Sequence, residues 1–198
     1  MKTVILANGD FPRRGGESYR LLERAKRIVA CDGAADALRR RLGREAEVVI
    51  GDLDSLAGRA RGGANVVHVA EQDTNDLAKA IRYCRGRGWN DLVIVGATGK
   101  REDHTLGNVF RAMEAGVPVL TDHGRFLPVD GICALRVRKG AAVSVFATDP
   151  ATRMLSSGLE WPLDGVVFEN LYCATLNRAV SPRVTIDSDR PAFAYIGH

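Results

Sequence analysis

The first two thirds of the chain alternate short runs of β-branched and apolar residues with longer stretches whose apolar positions recur every three or four residues. The runs at 3–7, 28–31, 48–50, 66–69, 92–95 and 117–120 predict strands, and 18–26, 34–42, 75–87 and 105–115 predict helices. In the last two helices Leu77, Ala80, Ile81 and Cys84, then Leu106, Val109, Phe110 and Met113, fall on one face, with Gly88 and Gly116 as stops. Such alternation predicts an α/β fold with a mostly parallel sheet covered on both sides. After Gly124 the texture changes. Runs at 132–137, 142–146, 166–168, 184–186 and 192–196 are separated by Gly, Pro, Asn and Asp, and none has helical periodicity. This predicts an all-β region, a small sandwich. The expected organisation is therefore an α/β domain over 1–124 and a β-sandwich domain over 125–198.

Composition narrows the class only modestly. The 198 residues are 45% hydrophobic, as expected of a soluble globular chain able to bury a core. No apolar run approaches the roughly 18 residues of a membrane span. The apolar stretch after Met1 is too short for a signal peptide and reads as a first strand, so the cytoplasm is the expected compartment. Cys31, Cys84, Cys133 and Cys173 are scattered, without zinc-ligand or disulfide-framework spacing. The net charge of +4 comes mostly from dispersed arginines with no aromatic-interleaved basic run, which argues against nucleic acid as a partner.

The candidate chemistry sits at the predicted strand ends. In open α/β sheets, ligands bind beyond the carboxyl ends of the strands. Those ends read Asn8-Gly9-Asp10, Cys31-Asp32-Gly33, Gly51-Asp52-Leu53-Asp54-Ser55, Gln72-Asp73-Thr74-Asn75-Asp76 and Gly96-Ala97-Thr98-Gly99-Lys100-Arg101-Glu102-Asp103-His104. Every one carries an acid. Taken singly, several have structural uses: Asp73 or Thr74 can cap the following helix, and Asp76 suits its positively polarised first turn. Asp52 and Asp54 crowd two carboxylates together, which a hard cation such as magnesium relieves. Gly99, Lys100 and Arg101 add a flexible backbone and positive charge, although neither a P-loop nor a G-x-G-x-x-G fingerprint is present. These residues point to a magnesium-dependent enzyme acting on phosphates. Phosphatase and nuclease chemistry remain open at this level.

The same motifs, in this order, resemble those of thiamine pyrophosphokinases. The likeness continues through Glu102-Asp103-His104-Thr105-Leu106-Gly107-Asn108 and on to Ser157-Gly158-Leu159-Glu160-Trp161-Pro162-Leu163. It implies a Rossmann-like α/β domain, a C-terminal β-sandwich and a homodimer with active sites between subunits. It also implies transfer of the terminal diphosphate of ATP to the hydroxyl of thiamine. By this resemblance Asp52, Asp54 and Asp76 are magnesium ligands, with Asp73 close by. Arg101 and Asp103 belong to the phosphate site, with Asn8, Asp32, Gly99, Lys100, His104 and Asn108 around the nucleotide. Gln72 and Trp161 correspond to thiamine contacts; taken alone, Trp161 equally suits a sandwich core. Where many members read Ser-Asn, this chain has Thr175-Leu176-Asn177, making Thr175 and Asn177 the corresponding candidates. Asp54, Asp73 or Asp103 would accept the hydroxyl proton, and His104 reads as a base or as a hydrogen-bonding scaffold. The rival functions are a pyrophosphokinase for another hydroxymethyl heterocycle, such as a pterin, and a non-enzymatic nucleotide or thiamine sensor.

Overall fold

A computed structural model of the chain describes residues 1–51, 65–68 and 74–198. Asp52, Asp54, Gln72 and Asp73 lie outside the described residues. The chain divides into two compact units, Met1–Asp122 and His123–His198.

In the first unit, β1 (Thr3–Leu6), β2 (Arg27–Cys31), β3 (Val48–Gly51), β4 (Asn65–His68), β5 (Leu92–Val95) and β6 (Val119–Leu120) alternate with α1 (Glu17–Arg24), α2 (Ala34–Leu42), α3 (Asp76–Gly86) and α4 (Glu102–Glu114). All the strand pairings within this unit are parallel, in the order β6-β5-β1-β2-β3-β4. Strand alternation sends Val4, Leu6, Ile28, Ala30, Val49, Val93 and Val95 to one face, where Leu22 of α1 and Leu38 of α2 complete a core cluster. Leu22 and Leu38 are fully buried, and each such side chain stabilises the unit by about 1.5–3 kcal/mol. On α3, Leu77, Ala80, Ile81 and Cys84 are buried at helical spacing where the helix packs over β1, β2 and β3.

The starts of two helices differ from the sequence expectation in an informative way. Asn75, rather than Asp73 or Thr74, caps α3, its Oδ1 accepting from the Ala78 N–H at 3.0 Å. Helix α4 begins three residues before the predicted start at 105, because Glu102 and Asp103 in its first turn favour the helix electrostatically while contributing nothing to its apolar face.

The second unit is all-β: β7 (Gly124–Arg136), β8 (Ala142–Phe146), β9 (Met154–Ser157), β10 (Ala174–Arg178) and β11 (Arg183–Gly197), all paired antiparallel. Two expected strands, 184–186 and 192–196, are halves of the long β11. Its first half pairs with β9 and its second with β8, while β7 runs alongside both. The register shifts between Ser188 and Ala192, where Pro191 cannot donate a ladder hydrogen bond. Residues 166–168 are not a strand. Turn hydrogen bonds from Val166 to Leu163 and from Glu169 to Val167 hold them as a loop whose Phe168 is buried in the core with Val143, Val145 and Ile186.

Candidate active site

The strand order of the first unit reverses between β1 and β5. Chain order runs outward from β1 through β2, β3 and β4, then returns to β5 on the other side. In open α/β sheets ligands bind beyond the carboxyl ends of the strands at such a reversal. A cavity of about 630 Å³ lies there, walled by the ends of β1, β2 and β5 and the starts of α3 and α4. Of the residues named from sequence, it brings together Asn8, Asp32, Asp76, Gly99, Lys100, Arg101, His104 and Asn108.

The floor is tightly specified. The Ala7, Gly9 and Asp10 N–H groups donate to the carbonyls of Val95, Gly96 and Thr98, carrying the β1–β5 pairing out into the loops. A Cβ at Gly9 would lie 2.4 Å from the Thr98 carbonyl oxygen, so only glycine allows the two loops to meet. Lys100 reaches back across them, its Nζ donating to the Asn8 carbonyl at 3.0 Å and to Asn8 Oδ1 at 2.9 Å. Gly99 has φ +80°, and a Cβ there would sit 2.1 Å from Asp10 Oδ2. Gly99→Ala is therefore expected to cost about 2–4 kcal/mol, combining left-handed strain with overpacking. A urea unfolding midpoint equal to that of the unmutated chain would contradict this.

Asn108 and Asn75 act as a strut between α4 and α3. Asn75 Nδ2 donates to Asn108 Oδ1 at 3.1 Å, and Asn108 Nδ2 donates to the Ala97 carbonyl at 2.9 Å. With its amide so engaged, Asn108 shapes the cavity wall.

The charged groups divide into two sets. Arg101 and Asp103 pair at the exposed mouth, Nη2 donating to Oδ2 at 2.5 Å. That bond holds the Asp103 carboxyl down at about 2, so it is fully ionised at neutral pH. Deeper in, Asp32 is 6% exposed and adopts φ +41°, a sparsely populated conformation for a non-glycine residue. Asp76, in the first turn of α3, pairs with Lys79 Nζ at 3.3 Å. Burial chiefly, and then the nearby charges of Asp76 and Asp32, push the Cys31 thiol upward, so this cavity-lining cysteine is a protonated, inert thiol. Asp32 and Asp76 thus influence the same wall. Their hard carboxylate oxygens are the donors a divalent cation such as magnesium takes, together with substrate oxygens.

Lys79 escaped the sequence reading. A lysine one turn into an amphipathic helix ordinarily reads as solvated, and only its neighbour Asp76 hinted otherwise.

In the second unit, Trp161, Thr175 and Asn177 line a separate cavity of about 360 Å³. Trp161 is 53% exposed, so it is not a core residue. Asn177 clasps its backbone: the Trp161 N–H donates to Oδ1 at 3.2 Å, and Nδ2 donates to the Trp161 carbonyl at 2.6 Å. Thr175 Oγ1 donates to the Tyr172 carbonyl at 2.9 Å. Both polar side chains therefore organise the cavity rim. Between them Leu176 has φ +65° and is 88% exposed. Among the described residues, the non-glycine positions with positive φ are Asp32, Lys100 and Leu176, and all three line one of the two cavities.

The comparisons with known proteins agree across both units. Residues 19–119 match the family model for the thiamin pyrophosphokinase catalytic domain, and residues 124–195 match that for the thiamin pyrophosphokinase substrate-binding domain. The chain is 29% identical over 135 residues to thiamin pyrophosphokinase 1 of Caenorhabditis elegans, a match covering 62% of this chain and 56% of that relative's length. Among solved structures, a thiamine pyrophosphokinase from Bacillus subtilis superposes with a TM-score of 0.78 at 18% identity, over 100% of this chain and 98% of the other. A thiamin pyrophosphokinase family protein from Enterococcus faecalis gives a TM-score of 0.81 at 15% identity, covering 100% and 99%. The Candida albicans thiamin pyrophosphokinase gives 0.78 at 13% identity, covering 99% and 88%. At such identities the structural likeness speaks for the fold.

Proposed function

The chain belongs to the thiamin pyrophosphokinase family, and from that premise we propose that it transfers the terminal diphosphate of ATP to the hydroxyl of thiamine, releasing AMP. The observation that carries this reading is the polar cavity at the reversal of strand order, walled by Asn8, Asp32, Asp76, Lys100, Arg101 and Asn108 from the motifs that carry the resemblance. The first unit is read as the Rossmann-like nucleotide domain. The second is read as a sandwich whose cavity around Trp161 takes the flat heteroaromatic acceptor.

In the reaction the thiamine hydroxyl oxygen bonds to the β-phosphorus of ATP. The bond from that phosphorus to the α–β bridging oxygen breaks, and AMP leaves with its electron pair. Little covalent work falls to the protein, so positioning and charge neutralisation dominate. Lys100, anchored on Asn8, holds the loop after β5 against the end of β1, and α4 contributes His104 and Asn108 to the wall of the same cavity. Arg101 at the mouth supplies positive charge for the transferring group. Magnesium, when bound, would offset phosphate charge and orient the oxygens; Asp76 would hold it, with Asp52 and Asp54 as the further ligands. A carboxyl held near 2 is a weak proton acceptor, so Asp103 is the least suited of the three candidate bases. The hydroxyl proton is assigned to Asp54 or Asp73.

Supplying thiamine and a hydroxymethylpterin separately, each with ATP and magnesium, tests the acceptor. AMP formation with thiamine alone is the expected result. Its absence with thiamine overturns the proposal, and ATP binding without any AMP would mark a sensor. The enzyme is further proposed to work as a cytoplasmic homodimer. Among the described residues no helix is long and apolar enough to cross a membrane.

Leu176 offers a test of the acceptor cavity. Its strained, exposed side chain gains nothing from burial, so Leu176→Gly is expected to leave stability unchanged or raise it by up to about 1 kcal/mol. If the side chain packs on the acceptor instead, KM for thiamine should rise severalfold while KM for ATP stays put. A large drop in thermal midpoint, or equal shifts in both KM values, would contradict this role.

A further inference from the structure

Lys79 stands out among the charged side chains of the first unit. It is 5% exposed, on the second turn of α3, and it lines the cavity at the reversal of strand order. Removing an ammonium from water is costly unless it is both paired and hydrogen-bonded. An ammonium has three donors. Among the described residues, the Lys79 ammonium makes one hydrogen bond, to Asp76 Oδ1 at 3.3 Å, beyond the usual N–H···O range. Asp76 is itself 31% exposed on its side chain, so water already solvates part of the charge that would balance the lysine. A single long contact to a half-solvated carboxylate is a poor reason to bury a lysine.

The deficit has a specific chemistry. Two ammonium donors remain for a partner rich in negatively charged oxygens, in a cavity large enough to hold one. The glycine-containing loop with Lys100 and Arg101 lines the same cavity and adds positive charge to it. A polyphosphate chain meets these demands; a single carboxylate would leave most of the cavity unfilled.

We propose that Lys79 binds the phosphate chain of the nucleotide directly, donating to non-bridging phosphoryl oxygens, and is not merely the counter-ion of Asp76. This rests on the pyrophosphokinase reading for the identity of the nucleotide. The bond from Asp76 keeps the ammonium in place before the nucleotide arrives, and the nucleotide then supplies the missing acceptors.

The two roles separate in the absence of magnesium. Binding of inorganic tripolyphosphate and of ATP to the full chain is measured by calorimetry in metal-free buffer, for the unmutated protein, Lys79→Met and Lys79→Arg. Direct contact predicts a tenfold to hundredfold loss of affinity in Lys79→Met, the usual worth of a charge-assisted bond, and substantial recovery in Lys79→Arg. The pair is then repeated in an Asp76→Asn background, where Lys79 no longer serves as the counter-ion of Asp76. A further tenfold loss on adding Lys79→Met supports direct contact; no further loss there overturns it. Should Lys79→Met fail to fold, Lys79→Gln, which keeps a donor without the charge, is read by the same criteria. ATP binding by the unmutated chain that Lys79→Met leaves unchanged overturns the Lys79 assignment alone. No ATP binding by the unmutated chain overturns the nucleotide site and this proposal with it.

Discussion

Asp76→Asn is expected to lower AMP-forming turnover about a thousandfold while the far-ultraviolet circular dichroism stays that of the unmutated chain and the unfolding midpoint falls, because the buried Lys79 loses its charge partner. The substitution keeps the volume and the position in the first turn of α3 but removes the charge. That charge serves twice in the proposed mechanism, as a hard ligand for magnesium and as the partner of Lys79. Loss of one preorganised electrostatic element in an active site costs about a hundredfold to a thousandfold, and weakened metal binding adds to it. Raising magnesium should recover part of the activity. Turnover within tenfold of normal at ordinary magnesium would remove Asp76 from the metal site.

Asn177→Leu should be the most disruptive change in the acceptor cavity. Asn177 is buried, and its amide satisfies the N–H and carbonyl of Trp161 and the N–H of Arg178. Leucine has nearly the same shape but offers no partner, leaving backbone groups unsatisfied at about 1–3 kcal/mol each where water cannot reach them. The unit is expected to lose about 2–4 kcal/mol on that basis, read from urea unfolding. Because Trp161 loses its clasp, KM for thiamine should also rise at least tenfold, with KM for ATP nearly constant. Trp161→Ala should reproduce the KM effect without the full stability loss. An Asn177→Leu chain that binds thiamine normally would mean that the clasp does not position the tryptophan.

The strand–helix alternation of the first unit was legible because β1 to β5 are short, apolar and locally bounded, and α2 and α3 carry unbroken apolar faces. The place of the candidate site followed from the same reading, since polar residues at strand ends must gather where the strand order reverses. The start of α4 was hidden by charged residues that favour a helix without adding apolar period. In the second unit β9 and β10 were missed and 166–168 was misassigned, because β9 pairs with β11 and β10 with β8, partners that lie far away in sequence. Phe168 looks like a strand residue on its own but anchors a loop in the core. Asn108, Thr175 and Asn177 were picked out as ligand contacts, and the fold commits their side chains to hydrogen bonds that shape the cavities. Lys79 was missed for the opposite reason: apart from Asp76 one turn earlier, little in the sequence distinguishes a buried helical lysine from a solvated one. Gln72 rests on the motif resemblance, and Asp52, Asp54 and Asp73 rest on it together with the chemistry of acids at strand ends.

The central claim is transfer of an intact diphosphate to thiamine. Incubating the chain with thiamine, magnesium and ATP carrying oxygen-18 in the non-bridging oxygens of both its β- and γ-phosphoryl groups, then identifying the products by mass spectrometry, tests it directly. The account predicts thiamine diphosphate carrying both labels and unlabelled AMP in equal amounts. Thiamine monophosphate with ADP, or label released only as free phosphate, would contradict it.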